Sequence, residues 1–212
     1  MKPRILAKAT IKKLFIVLLM PVYLLYRTLC YGGNRDGTFQ SFSQSLSLVP
    51  GKLGIYVRAA FYHLACPETS DDISVGFLTV FSHWNTTISR GVYIGPQCNI
   101  GMCRIGENVL IGSGVHILSG GRQHEFGDVH RPIQEQGGQY DKIDIGSDCW
   151  IGNQAVVMCA TNSKSIVAAG SVVVSPMQSG DIVAGNPARL LRNRFEASQA
   201  TTPSRESGEW AQ

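Results

Sequence analysis

Charge, aromatic rings, paired cysteines and long apolar runs are all scarce in this 212-residue chain. Charged residues make up 16% and the net charge is only +4. No helix-turn-helix, zinc-knuckle or interleaved aromatic-basic pattern accompanies that excess, so nucleic acid is not an expected partner. An anionic cofactor or an anionic membrane surface suits it better. The six cysteines, Cys30, Cys66, Cys98, Cys103, Cys149 and Cys159, form no CxxC pair, and no His-x-x-x-His stands beside them. That spacing argues against a structural zinc site and predicts reduced thiols acting as small hydrophobes in a cytosolic protein. The longest apolar run, Leu14 to Tyr26, is 13 residues and contains Pro21. It falls short of the ~20 residues a bilayer-spanning helix needs.

The first 35 residues nevertheless have a marked character. Lys2, Arg4, Lys8, Lys12 and Lys13 precede the run and Arg27 follows it. A secretory signal would need a small-x-small cleavage site, which Arg27-Thr28-Leu29-Cys30 does not supply. A core helix is a second reading, although a run without a polar face is unusual on a small domain. A monotopic or re-entrant anchor through residues 12–30 fits best, with the lysines and the arginine at headgroup level and Tyr23 and Tyr26 near the interface. It predicts a cytoplasmic protein on the inner face of the membrane. Residues 36–72 are expected to be a helical or irregular lead-in. The polar tail 194–212, which carries a single tryptophan, Trp210, is expected to be disordered.

Between these ends the sequence is abundant in one thing, a rhythm. Ile-Gly pairs fall at 94–95, 100–101, 105–106, 111–112, 145–146 and 151–152, and Ile88 and Ile117 extend the series. Four residues after the isoleucine stands a small residue: Cys98, Val109, Val115, Cys149 or Ala155. A helix needs apolar spacing of 3 or 4 and a plain strand needs 2. A six-residue period fits a strand that turns a corner every six residues, as in a parallel β-helix. Each isoleucine would point inward onto the next coil, contributing roughly 1.5–3 kcal/mol of burial. The glycine after it is expected to take the backbone angles of the corner.

Together with this repeat, "DCWIG" (148–152), "IVAAGSVV" (166–173) and "IVAGNPARLLR" (182–192) resemble the hexapeptide-repeat acyltransferases of the maltose, galactoside and colanic-acid O-acetyltransferase type. The resemblance covers about 73–193. It implies an all-β, left-handed parallel β-helix, preceded here by a hydrophobic helical segment and followed by a short C-terminal helix. It also implies a homotrimer that uses acetyl-CoA, requires no metal, and acts on a sugar or polysaccharide acceptor. Asn153, Ala169, Arg189 and Arg192 match cofactor-contacting positions, the arginines facing nucleotide phosphates; a basic C-terminal helix end is their alternative reading. Two departures stand out. Val174-Ser175 replaces the usual Thr-Lys, removing one cation, and "CATNSKS" (159–165) replaces the usual Pro-Gly-Val-x-Ile-Gly turn. The shortened turn is expected to disturb the coil beside the thioester.

The rhythm breaks at 118–142, and solenoid insertions commonly mark the binding face. Acetyl transfer from a thioester to a hydroxyl needs a base, and histidine suits neutral pH. The resemblance places the catalytic histidine in this interruption, which makes His124 in "GRQHE" the expected base. His130 is its competitor, and two solvated loop histidines are the alternative to both. Glu125, Asp128 or a backbone carbonyl would orient the ring. Arg122, Gln123 and Trp150 are expected to meet the acceptor, with Arg131 a further candidate. His116 is expected to be a lateral residue of the repeat, and His63 and His83 ordinary polar packing. N-acylation of an amino-sugar, a γ-carbonic-anhydrase-like hydratase with His83, His124 and His130 on zinc, and a non-catalytic scaffold remain as other functions. Serine acetylation fits less well, because that family begins with a long helical domain.

Overall fold

In the computed structural model, which describes residues 3–199, the six-residue period becomes two- and three-residue strands separated by corners. The chain visits three sheets in rotation, so each sheet is one side of a prism. Face A carries β1 (Ser74–Val75), β4 (Tyr93–Ile94), β7 (Leu110–Ile111), β10 (Trp150–Ile151), β12 (Ile166–Val167) and β14 (Asp181–Ala184). Face B carries β2 (Val80–Phe81), β5 (Asn99–Ile100), β8 (His116–Ile117), β11 (Val156–Val157) and β13 (Val172–Val173). Face C carries β3 (Thr87–Ile88), β6 (Cys103–Ile105) and β9 (Ile143–Ile145), continued by single bridges at Thr161 and Met177. All pairings between coils are parallel; β15 (Arg189–Asn193) closes face A by folding back antiparallel on β14.

The second residue of each pair points inward. Ile88, Ile94, Ile100, Ile105, Ile111 and Ile151 have no exposed surface, and the small residues Val115 and Ala155 are equally buried. The Cys98 and Cys149 slots do the same work at different corners, between faces A and B and between faces C and A: each thiol donates at 3.1 Å to a turn carbonyl of the next coil, Gly112 or Asn162. All six cysteines are free thiols. Burial pushes the Cys103 thiol up to about 12.

The glycines differ from expectation. None of the six Ile-Gly glycines has a left-handed φ. That angle falls two residues on, at Gln97 (60°), Asn108 (57°), Asp148 (56°) and Gln154 (58°) among others. The glycines serve close approach instead. A Cβ on Gly95 would sit 2.7 Å from the carbonyl carbon of Gly112 in the next coil, and one on Gly106 would sit 2.6 Å from the amide of Ser147. Hydroxyl and amide side chains complete each corner: Ser147 Oγ accepts from the Glu107 amide at 3.1 Å and Thr79 Oγ1 from that of Cys98 at 3.1 Å. The expected disturbance at 159–165 is absent. Thr161, almost wholly buried, takes the inward slot, and its amide donates to Asp144 at 2.9 Å, so the coil runs on unbroken.

The N-terminal third makes the chain mixed rather than all-β. Helix α1 (Pro3–Cys30) continues through Pro21, and α2 (Arg35–Ser47) and α3 (Gly51–Ala65) occupy the lead-in. The apolar run therefore belongs to a longer helix, and Lys8–Cys30 is long and apolar enough to cross a membrane by length and composition. Tyr26 packs edge-on to Phe39, Phe42 and Phe61, at centroid distances of 5.6–6.2 Å. Fully buried Arg58 joins α2, α3 and face A, donating to the carbonyls of Val49 (2.7 Å), Leu46 (3.2 Å) and Val75 (3.0 Å). The Leu46 and Val49 carbonyls lie just where α2 ends and intrahelical donors run out; Leu46 also accepts from the Val49 amide at 3.3 Å, and the Arg58 cation adds a donor to both. Lys12 ties α1 to the first coil through Asp72. At the other end, 194–199 form a short helix, α4 (Arg194–Gln199), and the rest of the expected tail, with Trp210, lies outside the described residues.

Two outcomes follow from this packing. Ile105→Ala is expected to lower stability by about 2–5 kcal/mol in denaturant unfolding. Arg104→Ala beside it, whose guanidinium meets Asp144 at 2.9 Å on the exposed face C, should change it by less than ~1 kcal/mol. The hydrogen bond from Lys12 holds the Asp72 carboxyl below its usual range. A depressed folded-state value contributes stability above the unfolded carboxyl's range, and that stability is lost as pH falls through the folded value. Thermal unfolding from neutral to acid pH should therefore show a smaller acid loss for Asp72→Asn than for the parent chain.

Candidate active site

The coils show where the prism is opened. Tyr93 pairs with Leu110, Leu110 with Trp150 and Trp150 with Ile166, so successive coils are 17, 40 and 16 residues long. The long one leaves face B after Ile117 and returns to face C at Ile143. Its two limbs pair with each other: the Gln139 amide donates to Arg122 at 2.8 Å and the Glu125 amide to Gly137 at 3.0 Å. The tip is held by Gln136, whose side-chain amide donates to the carbonyls of Asp128 (2.8 Å) and Arg131 (2.9 Å). At the root, Lys142 Nζ donates to Asn85 Oδ1 and Thr87 Oγ1, both at 3.1 Å. Desolvation, and then the Arg104 guanidinium, lower the pKa of that ammonium.

Beside the loop root is a cleft of about 400 Å³. Its floor is face B, where Asn99 and His116 stand opposite one another in register and point outward because Ile100 and Ile117 point in. Asp36 and Gln40 of α2 form one wall, and Gln123 and Tyr140 of the loop the other. His83 completes it, its Nδ1 2.8 Å from Ser82 Oγ and its ring 5.4 Å from that of Tyr140. Helix α2 is fixed there by side chains: Asn34 caps its Gly37 amide at 2.9 Å, and Asp36 Oδ1 accepts from the Trp84 amide at 3.0 Å. The lining is mostly polar, with Asp36 its one carboxylate and the rings of His83, His116 and Tyr140 among it, which suits a hydroxylated ligand more than an apolar one.

The residues expected from sequence fall into two groups. Gln123 lines the cleft; His124 next to it is exposed on the same limb, and Arg122 is exposed and 3.4 Å from Asp141. His130 is exposed at the tip, its amide donating to Asp128 Oδ1 at 2.9 Å. Asn153 and Ala169 sit at the opposite edge of face B, on the corner shared with face A. Asn153 Oδ1 accepts from the Ser113 amide at 2.9 Å, and its carbonyl accepts from Gly170 at 2.8 Å, while Ala169 is exposed on the next coil. Arg189 and Arg192 are exposed on β15, so the helix-end alternative for them does not apply. Trp150 is half-exposed on face A, in a row with Tyr93 and Leu110. His63 packs as expected, its Nδ1 at 2.6 Å from the Thr69 carbonyl, which as an acceptor requires the proton on that nitrogen.

The sequence reading does not single out Asp36, Gln40, Asn99 or Tyr140; His83, expected as ordinary polar packing, lines the cleft instead, and His116, lateral in the repeat as expected, lines it too. Asn99 and His116 had a signal, since each stands just before an inward isoleucine in the outward slot of the same face. The wall residues had none, because only the docking of α2 and the loop brings them in. Among the described residues no three His, Cys, Asp or Glu side chains converge as a metal site would require.

No protein-family model matches the chain. It is 32% identical to the galactoside O-acetyltransferase of Escherichia coli over 91 residues, 42% of each chain. The chain spans about half the length of the curated relatives it matches, which are acetyltransferases. Its fold is like that of a maltose O-acetyltransferase from Clostridium difficile, with a TM-score of 0.64 at 17% identity over 76% of this chain and 89% of that one. A galactoside acetyltransferase in complex with coenzyme A aligns with a TM-score of 0.55 at 19% identity, over 84% and 92%. The likeness establishes the parallel β-helix of hexapeptide-repeat acetyltransferases as the fold.

The loop geometry is testable at Gly138, where a Cβ would collide with the Gln123 carbonyl on the facing limb. Gly138→Ala should part the limbs and speed tryptic cleavage at Arg122 and Arg131, with the melting temperature of the prism unchanged.

Proposed function

We propose that this chain is an acetyl-CoA-dependent O-acetyltransferase acting on a sugar or polysaccharide hydroxyl, with His124 as general base. One observation carries the reading. A continuous β-helix is opened in a single coil, and the limb that bears His124 also supplies Gln123 to a polar cleft. His124 takes the acceptor proton as the acceptor oxygen attacks the thioester carbonyl. The carbon–sulfur bond then breaks, and the proton passes to the departing thiolate. A placed base of this kind contributes about 10²–10⁴ in rate. Arg122 and Gln123 would contact the acceptor, and Trp150, which lies on face A and outside the cleft lining, would reach it only from a second copy. That the relatives are acetyltransferases supports the chemistry.

The residues expected to hold acetyl-CoA fit it chemically. Ala169 is small and exposed on the corner next to Asn153, and Arg189, whose Nη1 donates to the Ala188 carbonyl at 3.2 Å, and Arg192 hold exposed guanidinium forks that phosphate would accept from. They lie across face B from His124. We read the prism as left-handed and the working unit as a homotrimer in which a second copy closes this gap. The exposed row Tyr93, Leu110 and Trp150 on face A supports a partner there, as do Phe126, Val129 and Ile133 on the loop. We read the protein as cytoplasmic, on the inner face of the membrane, a reading that the proposed use of acetyl-CoA supports.

Asp36 favours one second reading. A carboxylate in the cleft wall would hold an ammonium group, so N-acetylation of an amino-sugar is the alternative acceptor chemistry. The decisive experiment follows thiol release from acetyl-CoA with neutral sugars, amino-sugars and polysaccharide fragments. His124→Ala should lower kcat by about 100-fold or more. Arg189→Ala with Arg192→Ala should raise KM for acetyl-CoA at nearly constant kcat. Undiminished turnover of His124→Ala would overturn the mechanism, and turnover confined to amino-sugars would select the second reading.

A further inference from the structure

Helix α1 has two faces of different fate. One packs on the protein: Leu19 and Tyr26 are buried, Phe15 stacks on Tyr56 at 5.3 Å, and Lys12 is held by Asp72. The other is bare and apolar. Leu14, Val17, Leu18, Leu24, Leu25 and Leu29 are each 53–68% exposed. No charge interrupts that face between Lys13 and Arg27, a length of about 21 Å. Exposed apolar strips of this length on a soluble surface mark an interaction site. The occupant is indicated by charge: the first 35 residues hold seven lysines and arginines and no acidic residue. Such a helix, cationic at both ends and apolar outward, matches the boundary between headgroups and acyl chains of an anionic bilayer.

We propose that α1 lies flat in the surface of an anionic membrane, outer face in the acyl boundary, inner face still on α3, and does not cross the bilayer. Crossing would strip Tyr26 from Phe39, Phe42 and Phe61 and Phe15 from Tyr56, exposing those rings. The flat pose keeps every one of these contacts. It also sets the cleft at the membrane. The chain turns at Gly32-Gly33 directly after α1, and Asn34 and Gly37 just beyond it line the cleft. If the cleft takes a sugar, as proposed above, that sugar can be carried on a lipid; the docking of α1 itself does not depend on that reading.

The full chain should float with phosphatidylcholine vesicles containing phosphatidylglycerol, bind pure phosphatidylcholine more weakly, and release partly at high salt. Leu18→Glu with Leu25→Glu, both on the bare face, should cut partitioning by about tenfold or more. The double variant should keep the parent circular dichroism and melting temperature. Protease added outside the vesicles should remove an N-terminal epitope tag, because both ends stay on one side. Three results would each overturn the proposal. They are absence of vesicle binding by the parent chain, protection of the tag as a crossing helix would give, and a smaller oligomer of the double variant by light scattering. The last would make the face a contact between copies.

Discussion

Successive coils of the prism stack at the ~4.8 Å separation of hydrogen-bonded strands, and they can do so only because nothing protrudes where one corner passes over the next. The Ile-Gly pair supplies both halves of that condition. The isoleucine fills the interior layer, and the absent side chain after it lets the following coil's backbone approach to under 3 Å of where a Cβ would be. Polar side chains then settle the amides that the corners leave over, as Ser147 does for Glu107 and Asn153 for Ser113. A coil built this way transmits its register to its neighbours, so an insertion at one corner leaves the coils above and below aligned. That tolerance is what allows a 40-residue coil to sit among coils of 16 and 17.

The cleft inherits its precision from the same stacking. Asn99 and His116 are aligned because their inward neighbours are, and they form a rigid floor on face B. The walls are added by elements outside the repeat. Helix α2 is fastened by Asp36 to the Trp84 amide and by Ser43, whose hydroxyl accepts from Phe81 at 2.8 Å and meets the Tyr62 hydroxyl at 2.8 Å. The loop is fastened by Lys142 and Asp141 at its root. A site with a floor of strands and walls of a helix and a loop combines fixed geometry with adaptable edges. Binding residues held on rigid elements are placed more accurately than those on loops alone, and here His116 and Asn99 are of the first kind and His124 of the second.

Much of this was legible beforehand, for a physical reason. A repeat of six fits no open helix or strand, so the period alone points to a coil with corners, and the break in it marks the loop. The same reasoning erred over the glycines, assigning them backbone angles that Gln97, Asn108, Asp148 and Gln154 adopt instead. It erred again at "CATNSKS", because Thr161 fills an inward slot, almost wholly buried, while its backbone keeps the ladder. The apolar run at 14–26 counts hydrophobic residues alone, whereas the helix also includes the polar residues on either side and runs from Pro3 to Cys30.

Sequence by itself determined the periodic interior, the position of the interruption and the polarity of the N-terminal segment, since each depends on the spacing or composition of residues near one another in the chain. Tertiary structure alone decided that Asp36, His83, His116 and Tyr140 share one cleft. It also decided that α1 turns one side to the protein and leaves the other bare. Those facts depend on which distant surfaces meet, and no local pattern encodes the meeting of α2 with face B.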